Sequence, residues 1–394
     1  DSVASRGLGD VYKRQIVIGS RANYSSIKSA MRGIQNHPNL QLQVIAAASA
    51  ILDRYGSVVN LIERDGFDVA EKLHVLIEGE TPLTMAKSTG VALIELSSTF
   101  DRLSPDVVIT IGDRFETMAT TLAAAYMNIP IAHTMGGEVT GTIDESIRHA
   151  VTKFAHIHFP ASQDAAERII RLGEDPNMVF NVGCPRIDVV AEILSNDGGK
   201  LDQDLFDLGV GVDLNLSDPF VVVSQHPVTT EYGEGERQIT ETLRAVRATG
   251  LPAIVLWPNS DAGSDDIARG IRKWRENGMA NKMHFFKNLP IDTYVNLLSR
   301  CSCLVGNSSS GIREGAFIGT PVVNIGSRQT GRQRGINVID VAPIQSEIML
   351  AIERQLAHGK YSMDPLYGDG FSGARIASTL ADLKDIQIQK LIRY

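Results

Sequence analysis

Residues 105–149 read PDVVITIGDRFETMATTLAAAYMNIPIAHTMGGEVTGTIDESIRH, and their pattern decides the fold. The run Val107–Ile111 is apolar and largely β-branched, which predicts a strand buried on both faces rather than one with a wet side. It breaks at Gly112-Asp113-Arg114, and an alanine-rich helical pattern follows to about Met127. A second short strand, Ile129 to Ala132, ends in His133 and the glycines Gly136 and Gly137. Glu138, Asp144 and Glu145 come next, then a helix from near Ser146. Open α/β sheets hold ligands outside the carboxyl ends of their strands. Here both strand ends carry acids, a histidine and glycines, so chemistry is expected there.

The rest of the chain repeats this alternation. Upstream, the strand IVIGS starts at Ile16, a helix runs to about Asn36, and strands at Leu40–Ala47 and Val69–Leu76 flank a helix near Val58–Asp65. A long helix is expected over Pro82–Leu103. Downstream come a strand at Ile157–Pro160, a helix capped by Ser162, and a strand at Met178–Val182 before Gly183-Cys184-Pro185. Asn, Asp and Gly cluster between Ser195 and Pro219, which marks a domain linkage. The second half has strands at Phe220–Ser224, Ala253–Trp257, Met283–Phe286, Cys303–Val305 and, last, Pro321–Ile325. Helices are expected between them. Strands alternating with helices predict parallel sheets covered on both faces, so the fold class is α/β with two halves of similar size. The expected division is 16–195 and 196–373, with residues 1–15 set apart as a non-native leader. DSVASRGLGDVYKRQ has neither an apolar core nor a helical or strand period, which also excludes a signal peptide.

Composition narrows the function classes. The chain has 394 residues, 43% hydrophobic and 21% charged, with a net charge of −8. It is long enough for two cores. No Lys/Arg run forms a nucleic-acid footprint, and no apolar stretch approaches the ~20 residues that span a bilayer. Cys184, Cys301 and Cys303 have no metal spacing and fit reduced thiols in a cytoplasmic protein. An anionic ligand would have to be held locally, by helix N-termini and a few arginines.

Several groups stand out. Asp113 to Glu116 has the capping-box spacing, yet Asp113 at a strand's carboxyl end also suits acid/base work; the sequence supports both readings. Thr142 to Glu145 has the same spacing, which leaves Asp144 and Glu145 open to either role. Glu138 has no helix to cap. Carboxylates that converge push one another's proton affinities apart, giving one acid and one base near neutral pH. Metal binding is not expected, because no HExxH or paired-histidine motif accompanies them. Gly306-Asn307-Ser308-Ser309-Ser310-Gly311 joins a strand to a helix, and its backbone amides and hydroxyls suit a diphosphate. Gly368 to Gly373 matches GxGxxG but follows no strand, so a dinucleotide site is rejected. His226, Arg21, Arg114, Arg313 and Arg328 lie near strand ends or glycine turns, where an arginine can pair a phosphate bidentately.

Taken together, GSRANY, IGDRFET, GGEVTGTIDESIRHAVTK, GCPRID, SQHPVTT, WPNSDAGS, GNSSSGIRE, IGSRQTGR and YGDG resemble the hydrolysing UDP-N-acetylglucosamine 2-epimerases of sialic-acid-type pathways. The resemblance runs from Ile16 to about Ile376. It implies the GT-B fold, two Rossmann-like domains with the ligand in the interdomain cleft, and a last helix, here 374–391, returning to the first domain. It implies elimination of UDP with loss of the C2 proton, then addition of water to a 2-acetamidoglycal. Asp113 and Asp144 match acid/base carboxylates, Glu138 an acid of the GGE string, and His226 and Arg114 residues at the diphosphate and sugar. Ser308 and Ser309 match phosphate-binding serines and Glu314 the ribose-binding glutamate, while Arg21, Asn259 and Arg328 match nucleotide contacts. No cofactor is implied. The expected partners are a UDP-sugar and UDP, with no nucleic acid or membrane, and a homodimer or homotetramer is expected.

One position departs from the pattern. Many members place an acid two residues after the strand-end histidine, where this chain has Met135, so either Glu138 or Glu145 takes that carboxylate's role or the substrate differs. Family sequences with a neutral residue there resemble enzymes acting on UDP-2,4-diacetamido-2,4,6-trideoxyglucose in legionaminic acid synthesis. Rival readings are a GT-B glycosyltransferase, a non-hydrolysing 2-epimerase and a non-catalytic nucleotide-sugar sensor.

Overall fold

The structure, a computed structural model, describes residues 11–78, 81–139, 143–196, 201, 203–258, 263–287, 289–384 and 386–393. They divide into two compact units. The first holds the described residues up to Glu138, Ile143–Val189 and the chain from Gly370 onward. The second holds Val139 and Val190–Asp369.

The first unit contains six strands: β1 (Tyr12–Ile18), β2 (Leu40–Ala47), β3 (Val69–Leu73), β4 (Val107–Ile111), β5 (Ile131–Thr134) and β6 (Ile157–Phe159). All pair in parallel, in the order β3-β2-β1-β4-β5-β6. Successive residues of a strand face opposite sides of the sheet, and both sides here are apolar. Ile109 and Ile111 pack with Met31, Ile34, Ile376 and Leu380 in one cluster. Val108 packs with Leu96, Phe100, Ala119 and Ala123 in another. The chain winds outward from β1 to β3 and returns to the centre as β4. The reversal between β1 and β4 is a topological switch point, where connections leave in opposite directions and open a crevice. Gly19 and Gly112 follow these two strands directly.

The second unit contains β7 (Val210–Gly211), β8 (Val221–Ser224), β9 (Ala253–Leu256), β10 (Met283–Phe286), β11 (Cys303–Gly306), β12 (Val322–Ile325) and β13 (Val338–Val341). Their order is β13-β12-β11-β8-β9-β10-β7, parallel except for the β10–β7 pair. Its switch point lies between β8 and β11. Gly306 ends β11 at φ 140°, and a Cβ there would lie 2.1 Å from the Ser224 carbonyl oxygen, so only glycine lets these two strand ends approach.

The helix Ser372–Asp382 belongs to the first unit. Its Ile376 and Leu380 are fully buried, each stabilising the unit by roughly 2 kcal/mol. Its first amides, Ser372 and Gly373, donate to the Asp188 carboxylate at 3.0 and 2.7 Å, which satisfies N–H groups the helix leaves open. It packs backbone to backbone on the helix Lys28–Gln35, where a Cβ on Gly373 would lie 2.4 Å from the Ser29 carbonyl carbon. The tail beyond it is tied to the same unit. His156 Nε2 donates to the Ile388 carbonyl at 2.9 Å, and Lys390 Nζ donates to the Ala155 carbonyl at 2.5 Å and to the buried Glu174. Glu174 also accepts from Lys153 at 2.5 Å and from His158 at 3.2 Å.

Several sequence expectations need correction, among them the second strand of residues 105–149, which covers Ile131–Thr134 rather than Ile129–Ala132. β1 starts at Tyr12, not Ile16: the polar side chains of Tyr12–Gln15 hid a strand whose backbone pairs with Leu40–Gln43. Met178–Val182 is a 3-10 turn, Pro176–Met178, plus a single bridge from Val179 to His158. Pro321–Ile325 is not the last strand, because β13 follows it. The helix after β5 starts at Ile143 rather than near Ser146. The terminal helix covers 372–382 rather than 374–391, ending where Leu383 turns extended at φ −81°, ψ 100°.

Candidate active site

Asp113 follows β4 and its glycine. The helix after it starts at Phe115, so its N-cap is Arg114, which makes no side-chain capping bond. Asp113 is one residue too early to cap, and the capping reading fails. Its carboxylate instead accepts from Arg148 Nη2. Arg148 lies on the helix Ile143–Phe154, and its side chain is only 3% exposed, against 19% for Asp113. The other arm of the guanidinium, Nη1, lies 3.7 Å from Glu138 Oε2, a carboxylate 5% exposed. Two acids that the sequence nominates separately therefore meet around one buried cation. The sequence reading missed Arg148. Its position three residues before the fully buried Val151 was the available signal, since i and i+3 share a helix face.

Behind this group stands His133, fully buried on β5. Its Nε2 donates to the Gly112 carbonyl at 2.8 Å, which leaves Nδ1 as the acceptor, 3.4 Å from the Thr152 hydroxyl. Burial drives its pKa down to about 3, with the Gly112 bond opposing. It is thus neutral near pH 7 and acts as a strut. Met135 follows two residues later, buried, with a left-handed backbone at φ 61° and its amide bonded to the Phe159 carbonyl at 2.9 Å. A non-glycine residue held there costs roughly 1–2 kcal/mol, and such strain collects where function fixes a loop.

Glu116 is the second residue that sequence reasoning undervalued, having taken it as a capping partner. It is buried beneath Gly19, where an added Cβ would meet its Cγ at 2.9 Å. Burial raises its pKa; Arg114, whose Nε donates to it at 3.3 Å, works against that, and the charge of Asp144 adds to it. Asp144 and Glu145 occupy the first turn of the helix Ile143–Phe154, and Glu145 pairs with His149 at 3.0 Å. Their expected capping partner Thr142 lies outside the described residues. Arg21, exposed, opens a short helix after β1 whose N-cap is Ser20, with the Ser20 hydroxyl accepting from the Asn23 amide at 3.2 Å.

In the second unit the polar groups gather at the ends of β8 and β11. Asn307, buried, accepts from the His226 amide at 2.7 Å and donates to the His226 carbonyl at 2.8 Å, clamping that backbone through one side chain. The Asn307 carbonyl accepts from Gln329 at 2.8 Å and Arg328 at 3.3 Å. Ser308 caps the turn Ser309–Ile312, and its hydroxyl lies 2.8 Å from that of Ser310, which also meets the Tyr294 hydroxyl. Ser308 and Ser309 are half-buried, and Glu314 and Arg313 are buried in the turns that follow. His226, Ser308 and Arg328 thus share the Asn307 turn. Asn259 lies outside the described residues.

Two doubly wound sheets, each with its polar groups at the switch point, define an enzyme of the GT-B fold class. The chain belongs to the UDP-N-acetylglucosamine 2-epimerase family, whose pattern it matches over residues 32–381. It is 32% identical to the UDP-N,N'-diacetylbacillosamine 2-epimerase (hydrolyzing) of Legionella pneumophila, over 91% of this chain and 93% of that protein. It is 30% identical to the GDP/UDP-N,N'-diacetylbacillosamine 2-epimerase (hydrolyzing) of Campylobacter jejuni, over 82% and 83%. Among solved structures, the UDP-GlcNAc 2-epimerase of Neisseria meningitidis bound to UDP-GlcNAc aligns with a TM-score of 0.79 at 17% identity, covering 94% of this chain and 100% of that one. No helix among the described residues is long and apolar enough to cross a membrane.

Proposed function

We propose that the chain converts a UDP-2-acetamido sugar and water to UDP and the free C2-epimer, and that it prefers UDP-2,4-diacetamido-2,4,6-trideoxyglucose (UDP-N,N'-diacetylbacillosamine) to UDP-N-acetylglucosamine. The observation that carries the reaction is the pair Asp113 and Glu138 around the buried guanidinium of Arg148, beside a strand end. In the first step a carboxylate takes the C2 proton, the C–H electrons form a C1=C2 double bond, and the C1–O bond breaks with UDP leaving as the anion. In the second, water adds its hydroxyl to C1 of the 2-acetamidoglycal while C2 takes a proton on the opposite face. Asp113, the more exposed of the pair, exchanges one of these protons, and Asp144 the other. Glu138 supports the charge from behind, and Arg114 and Arg21 reach toward the sugar and phosphate. In the second unit Ser308 and Ser309 bind diphosphate oxygens, His226 and Arg328 flank them, and Glu314 and Asn259 complete the nucleotide contacts.

Met135 supports the choice of sugar. It is an adaptable apolar side chain where the resemblance implies an acid, so a methyl or acetamide edge gains contact and a hydroxyl loses a partner. The names of the Legionella and Campylobacter relatives point the same way. The test is turnover of both UDP-sugars in D₂O, with UDP, free sugar and C2 deuterium measured separately. The reading requires UDP and free sugar in equal amounts and deuterium at C2. A product still attached to UDP, or one without C2 deuterium, rejects it.

A further inference from the structure

We infer that Arg148 is a positioning residue for proton transfer, holding Asp113 and Glu138 as a jointly anchored anionic pair while a strut of neutral groups fixes its own place. This rests on the reading of Asp113 as a proton carrier. The guanidinium is nearly sealed, with Nη2 on Asp113 and Nη1 3.7 Å from Glu138. Arginine keeps its proton at any working pH, so it takes no part in proton exchange itself. What it supplies is a planar fork of fixed charge.

The backbone that carries the fork sits in a closed ring of contacts. Arg148's own carbonyl accepts from the Thr152 hydroxyl at 3.0 Å, and that hydroxyl lies 3.4 Å from His133 Nδ1. His133 Nε2 then bonds the Gly112 carbonyl at 2.8 Å, and Gly112 precedes Asp113, which closes the ring on Arg148. The Thr152 hydroxyl gives its one hydrogen to the Arg148 carbonyl and only packs against the acceptor His133 Nδ1, so within this ring the ion pair is the bonded link from the helix Ile143–Phe154 to the end of β4. The neutral His133 adds no charge to compete with the pair. The other titratable groups on the elements around the pair are Arg114 and Glu116 after β4, and Asp144, Glu145 and His149 on Arg148's own helix. Two carboxylates on one guanidinium leave a net negative charge. Losing the cation would therefore make the first proton bind more readily to the pair as a whole.

The experiment compares Arg148→Lys and Arg148→Met with the unchanged chain, using kcat and KM against pH, UDP affinity by calorimetry, and carboxyl ¹³C NMR titration. For Arg148→Met the acid limb of kcat/KM is expected to rise by about one to three pH units. Its activity at pH 7 should fall ~10²–10⁴-fold, with UDP affinity unchanged. Arg148→Lys keeps the charge but not the fork. Its acid limb should return to near the original pH, while kcat stays down by roughly tenfold or more. A folded Arg148→Met with an unmoved acid limb overturns the inference, and so does an Arg148→Lys indistinguishable from the unchanged chain. Should Arg148→Met fail to fold, Arg148→Lys alone decides. The NMR titration needs no substrate. If neither UDP-sugar turns over, the proposed reaction fails, while a rise in the pair's carboxyl titration on losing the cation still supports the anchoring.

Discussion

The Glu174 cluster gives a stability prediction with a definite pH window. Burial alone would raise this carboxyl's pKa, but hydrogen bonds from His158, Lys153 and Lys390 overcome it and leave the value at about 2. Measured against an unfolded carboxylate, that depression contributes roughly 3 kcal/mol at neutral pH. For a depressed acid, the contribution is complete above the unfolded pKa and disappears as pH falls through the folded one. Working the linkage through, roughly 2 of those 3 kcal/mol are gone by pH 3. The perturbation is Glu174→Gln, which keeps the shape and removes the charge. Urea unfolding from pH 7 to 3 should show the variant less stable at pH 7 and the gap narrowing by more than half at pH 3. The probe matters, because Trp257 and Trp274 both lie in the second unit. Hydrogen exchange on 143–189 reports on the correct one. A gap that stays constant across this range refutes the reasoning.

Three further outcomes are expected. Asp113→Asn should lower turnover ~10²–10⁴-fold with UDP affinity unchanged by calorimetry; near-normal turnover removes Asp113 from the chemistry. Ser308→Ala combined with Ser309→Ala should weaken UDP binding by roughly 2 kcal/mol, about thirtyfold, while circular dichroism stays native. The unchanged chain should favour the 2,4-diacetamido-6-deoxy sugar over UDP-N-acetylglucosamine by about 10–200-fold in kcat/KM. Met135→Glu should shift that ratio toward the hydroxylated sugar, and a ratio unaffected by the substitution dismisses Met135 as a selectivity residue.

The strand ends were legible because the buried strands are almost purely apolar and break at glycine. Gly112 after β4 and Gly306 at the end of β11 mark them in one dimension as clearly as in three. Elements held by polar groups were not legible. Tyr12–Gln15 lengthens β1 through its hydrogen bonds while showing a polar face to any search for hydrophobic period. The stretch after Asp382 keeps enough apolar residues to look helical, yet its described residues form no helix and are tied down by Lys390 and His156. The acids of the site could be named one by one, since carboxylates near strand ends are conspicuous. Arg148 was harder to name, because a single arginine in SIRHA reads as solvated until folding seals it, and Val151 three residues on is a faint mark of the inner face. Asp113 shows the reverse error. A spacing that fits a cap means nothing when the helix starts one residue later.

The helix Ser372–Asp382 has a consequence for how the molecule is made. Its Ile376 and Leu380 complete a core whose other members, such as Ile16, Ile109 and Ile157, come from the first half of the chain. During synthesis those early strands emerge and pair while the helix that covers one of their faces is still untranslated. All of Val190–Asp369 must leave the ribosome before it arrives. Through that interval a patch of isoleucine and methionine faces solvent, open to other nascent chains. The second unit, by contrast, is almost continuous in sequence and can close as soon as it emerges. Its folding can therefore finish first, even though it is translated later.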